Sequence, residues 1–70
     1  MHYYILPMTE YIAEQEFIDQ FVDIRFDFVD TSFYVKSEQP IQQWNNREWT
    51  REDIILHIGN REHRWGFIEI

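Results

Sequence analysis

Seventy residues make one acidic domain, 1–70, with a formal net charge of −7 and no cysteine. A chain of this size buries only about 60% of the surface its unfolded form exposes, so dense packing is essential, and a disulfide scaffold is excluded. Six Phe, four Tyr and three Trp, an aromatic fraction of 19%, supply apolar area and exclude a disordered chain.

The charge is unevenly placed. Residues 1–38 hold eight acids and two bases; residues 39–70 hold five acids and four arginines. The negative field therefore belongs to the first half. It repels nucleic acid and anionic lipid and attracts basic protein surfaces. The start of the chain, Met1 to Pro7, is apolar without a basic leader, and no apolar run is long enough for a membrane span. A soluble, cytoplasmic protein with no membrane partner is expected.

In chain order, His2 to Leu6 reads as a short strand, ended by Pro7, which lacks a ladder donor. Thr9 is placed to cap a helix, and Glu10 suits the positive end of its dipole. Ala13, Phe17, Ile18 and Phe21 share one face of that helix, with Glu14 intruding.

The stretch Glu16 to Asp30 carries two periods at once. With period 3.5, Glu16, Asp19, Asp23, Asp27 and Asp30 line up as an acidic stripe opposite Phe17, Phe21, Ile24 and Phe28. With period 2, Val22, Ile24, Phe26 and Phe28 face a core while Asp23, Arg25 and Asp27 face water. A helix continued to Asp30 would put Arg25 in its apolar arc. The strand reading, Val22 to Val29, has no such fault and is preferred.

Asp30-Thr31-Ser32 is a turn, and Phe33 to Lys36 returns as the partner strand. Ile41 to Trp44 and Trp49 to Glu52 form a hairpin around a four-residue loop. A competing reading makes Thr50 an N-cap, with Asp53 three residues on, Trp49 and Ile54 as a staple and Gly59 as the stop of a short helix. Ile54 to Ile58 and Arg61 to Ile70 form a last hairpin about a Gly59-Asn60 turn, which pairs His57 with Glu62. The expected class is α+β: one N-terminal helix packed on a small, largely antiparallel sheet in the order β-α-β-β-β-β-β.

No catalytic motif is present. There is no Gly-rich loop, and Ser32 and Ser37 sit in no elbow-like context. An enzyme is not expected. His57, His63 and Glu62 lack any established ligand spacing, and the hairpin register sets the two histidines on opposite faces, so neither a metal nor another cofactor is expected. Arg47, Arg51, Arg61 and Arg64 could form a basic strip; salt bridging with Glu48, Glu52, Asp53 and Glu62 is the simpler account.

The acids carry the functional expectation. Glu16, Asp19, Asp23, Asp27 and Asp30 could imitate a row of phosphates and occupy the cationic groove of a basic, nucleic-acid-handling protein, binding and inhibiting it. Charge gives rate and orientation more than affinity, so an apolar anchor is required. Trp44 or Trp49, at the tip of the expected hairpin, would supply it. The bland reading makes the acids a solvated face and the tryptophans core. The alternative function is a structural protein that self-associates through an exposed strand edge. No family resemblance emerges from any motif.

Overall fold

The computed structural model describes residues 1–11, 18–59 and 66–68. Among the described residues four strands form one sheet: β1 (His2–Pro7), β2 (Phe21–Asp27), β3 (Ser32–Ser37) and β4 (Glu48–Trp49). Their spatial order is β2-β3-β1-β4, and every pairing is antiparallel. A helix, α1 (Arg51–Ile58), follows β4. Short 3₁₀ segments occupy Met8–Glu10 and Gln42–Arg47.

The sheet is covered on both faces. On one, Tyr3 and Tyr34 pack with Ile54 and Ile58 of α1 and with Phe67 and Ile68. On the other, Tyr4, Leu6, Phe33 and Val35 pack with Ile41 and Trp44, and Phe21, Ile24 and Phe26 of β2 lean against them. Adjacent residues of β1 thus serve different cores, as the alternation of a strand dictates. Each fully buried side chain of this size contributes about 1.5–3 kcal/mol, so the paired layers suit a chain too short for one deep core. Lys36 joins the last described segment to the sheet: its Nζ donates to the Phe67 carbonyl at 2.8 Å and lies 5.5 Å from the Phe67 ring centre.

The class is α+β, as expected, but the order of elements is corrected. Among the described residues the sheet has four strands where six were expected, and α1 comes after all four in the chain. Thr9 does not cap a helix: it lies inside the Met8–Glu10 segment, and Tyr11 beyond it is extended. The centre of the helix expected from Thr9 to Phe21, with Glu14 and Glu16, lies outside the described residues.

The hairpin expected around residues 45–48 is absent. Gln42–Arg47 turns as a 3₁₀ segment, broken at Trp44 (φ −120°, ψ 22°), which is 7% exposed. β4 pairs with β1 instead, Tyr3 opposite Trp49. The last expected hairpin is overturned as well, because Ile54 to Ile58 is helical. Thr50 Oγ1 accepts the Asp53 N–H at 3.1 Å, and Gly59 (φ 62°) stops the helix by donating its N–H to the Ile55 carbonyl. The capping signals win because each satisfies a backbone group that a bare helix end leaves orphaned. The proposed facing of His57 and Glu62 falls with that hairpin; Glu62 and His63 lie outside the described residues. No described helix is long and apolar enough to cross a membrane.

Candidate interaction surface

β2 is one edge of the sheet formed by the described residues. Its alternation is as expected only in the middle: Ile24 and Phe26 pack on one core and Asp23, Arg25 and Asp27 turn to the opposite face, but Val22 and Phe28, expected inside, are exposed, and across the register shift Phe21 packs in place of Val22. That opposite face is not simply water. α1 covers the neighbouring strands on that side, so the acids meet three different environments.

Asp23 holds Arg25 two residues along the strand. Its carboxylate takes Arg25 Nε at 3.1–3.2 Å and Nη2 at 2.9 Å. Both side chains are part-exposed, so the pair is worth at most about 1 kcal/mol. The same carboxylate accepts the Ile24 N–H at 2.8 Å. A backbone donor on the edge strand is thereby occupied by the strand's own side chain. A register shift between Phe21 and Asp23 bends the edge beside it. Both features blunt an edge against pairing with another strand.

Asp27 is the correction to the water-facing acids: it is 5% exposed. Its Oδ1 accepts the N–H groups of Val29 and Asp30, both at 3.1 Å, and its Oδ2 accepts the Tyr34 hydroxyl at 3.0 Å. It builds the turn into β3 and shows no face to a partner. Asp30 is exposed on that turn, and Asp19 is exposed at the other end of β2. Glu16 lies outside the described residues. In an extended strand, same-face residues recur every ~6.6 Å, so Asp23 and Asp27 are ~13 Å apart along the chain. The acids of β2 therefore do not reproduce the spacing of phosphates.

At its N-terminal end β2 borders an open cleft of about 280 Å³, lined by Asp19, Gln20, Phe21, Val22, Glu38 and Gln39. Two carboxylates, two amides and two apolar residues meet there. At the opposite end Phe28 and Val29 project from the β2–β3 turn.

The tryptophans are not at a loop tip. Trp44 is buried between Tyr4 (5.7 Å), Phe21 (5.8 Å) and Phe33 (6.0 Å). Trp49 is half-buried beside the α1 core, its ring 5.0 Å from that of His57. The exposed apolar side chains include Phe28 and Val29 at the turn, together with Val22 and Leu56, none of which the sequence pattern singles out as a contact. A usable signal was Asp27 itself, since an Asp two residues before a free N–H builds a turn with its side chain.

Tyr4 is the buried polar centre of the second core. Its hydroxyl accepts the Ile41 N–H at 2.8 Å and reaches Glu48 Oε1 at 3.3 Å. Burial, with the nearby Glu48 charge, raises its pKa above 10.0, against the opposing pull of the Ile41 N–H. Arg47 pairs with Glu10 rather than with the acids nearest it in the chain. Among the described residues no cluster of His, Asp or Glu could hold a metal ion. Comparison with family models, curated proteins and solved structures gives no match, so the functional reading rests on this geometry.

Proposed function

We propose that this protein is a non-enzymatic interaction module that binds a basic, nucleic-acid-handling protein and inhibits it. The observation that carries the reading is the cleft at the N-terminal end of β2. A lysine or arginine side chain laid in it would meet Asp19 and Glu38 with its charge, while Phe21 and Val22 take its aliphatic stem. The net charge of −7 supplies the steering field. The imitation of nucleic acid is one of overall charge rather than of phosphate spacing. The absence of cysteine suits a reducing cytoplasm as the setting.

Self-association through the β2 edge is the competing reading, and the occupied Ile24 N–H weighs against it. The test is capture of partners from nuclease-treated source lysate, washed at low and high salt, beside an Asp19→Asn/Glu38→Gln variant. A basic nucleic-acid-binding protein that is held at low salt, fades at high salt and is weakened by the double variant is the expected outcome. If only the protein itself is recovered, the self-association reading replaces this one.

A further inference from the structure

Phe28 and Val29 are neighbours in sequence, and both are turned out to solvent, 77% and 93% exposed. Turns favour Gly, Asn, Asp and Ser for local reasons, and neither residue is of that kind. The next strain is at Thr31, a β-branched residue at φ 53°, a region costly for such side chains. Neither the exposed apolar pair nor the Thr31 backbone is explained by turn formation alone.

It is nevertheless held in one shape. Asp27 ties down the backbone N–H groups of Val29 and Asp30, and Tyr34 fixes Asp27 from below. Phe28 stacks on Phe26, with ring centres 6.1 Å apart and planes at 25°. An exposed apolar tip fixed in advance loses little freedom on binding, which is the condition for an anchor residue. Asp30 is exposed beside it, on a chain of net charge −7.

We propose that the Phe28–Val29 tip is the anchor by which this protein docks, entering an apolar pocket on its partner that is bordered by lysine or arginine. This rests on the preceding reading of a basic partner and names the part of that partner which is contacted. The tip and the Asp19–Glu38 cleft stand at opposite ends of β2, ~20 Å apart for a seven-residue strand. Two contacts so placed fit within one interface of standard size, about 800 Å² a side. An anionic membrane would be repelled by the charge, and a second copy carries the same sign.

The test uses the full chain and the partner isolated by the salt-sensitive capture. A photo-crosslinking phenylalanine analogue is placed at position 28, with a control at Leu56, which is as exposed but lies on α1. Crosslinks from position 28 are expected on one partner segment with basic residues around an apolar pocket, above the Leu56 background. Phe28→Ser is expected to speed dissociation about 30-fold, the size of a hot-spot truncation, with association rate and salt slope unchanged. Val29→Ser serves as the second variant, since Phe28 also packs on Phe26. If a salt-sensitive partner is captured but neither variant alters its dissociation, the anchor is wrong and the basic-partner reading stands. If no such partner exists, both fall. Crosslinks to a second copy, or binding of the protein to phosphatidylcholine vesicles that Phe28→Ser abolishes, would overturn the proposed pocket.

Discussion

The Tyr34 hydroxyl donates to Asp27 Oδ2 across 3.0 Å, so a buried residue of the central sheet holds the acid that shapes the exposed turn. Tyr34 packs on the α1 core at the same time. The shape of the tip is thus fixed by the interior of the domain.

That link sets the first expectation. Asp27→Ala leaves the Tyr34 hydroxyl and the Val29 and Asp30 N–H groups without this acceptor. An unmade bond to a buried donor costs about 1–3 kcal/mol, so urea unfolding should show a loss within that range. Tyr34→Phe removes one bond and should cost about 1 kcal/mol. Hydrogen exchange at Val29 and Asp30 should quicken in both variants, and more in Asp27→Ala. Unchanged exchange in Asp27→Ala would show that the turn does not depend on this carboxylate.

The edge of β2 gives the second. Asp23→Val removes the acceptor of the Ile24 N–H and releases Arg25, leaving a strand edge with an open donor and more apolar surface. We expect the wild-type protein to stay monomeric by light scattering as concentration rises, and the variant to form dimers. Asp23→Asn, which keeps an acceptor, should behave like the wild type. A monomeric Asp23→Val protein would mean that something other than this side chain guards the edge.

The third concerns α1. Thr50→Ala removes the oxygen that accepts the Asp53 N–H, at a cost of about 1 kcal/mol. Thr50→Ser should retain most of the stability. Melting temperature distinguishes the two, and an equal loss in both would show that the hydroxyl is not the stabilising group.

The fourth is a pH dependence. Burial raises the Tyr4 pKa in the folded chain, so the native state holds this proton more tightly than the unfolded one. The contribution is complete below the unfolded value of 10.0 and is lost as pH rises through the folded value. Stability should therefore fall on the alkaline side of about pH 10. Tyr4→Phe should be less stable at pH 7, because the Ile41 N–H loses its acceptor, yet should fall off less steeply above pH 10. Parallel pH curves for the two proteins would remove Tyr4 as the cause.

Parts of this fold are legible in the residues. β2 follows from the alternation of Ile24 and Phe26 with Asp23, Arg25 and Asp27, which a helix would fit only with Arg25 in its apolar arc, and β3 from the turn after Asp30 and the apolar return beyond it. Thr50, Asp53 and Gly59 mark α1 fully, but Ile54-Ile55-Leu56 suits a strand as well as a helix, and only tertiary packing decides. The acids were harder to read. An alternating polar face looks the same in sequence whether it meets water or another layer, so Asp27 passed for a surface residue. Phe28 was misplaced for a related reason: the alternation of β2 runs smoothly into it, although the strand has already ended at Asp27.

Tyr3 and Tyr4 stand side by side in β1 and belong to opposite cores. Inserting or deleting a single residue within His2–Pro7 would exchange the β1 side chains on one side of the change between the two layers, and a change that shifts Tyr4 would take its hydroxyl away from Ile41. The segment can vary in residue type but not in length.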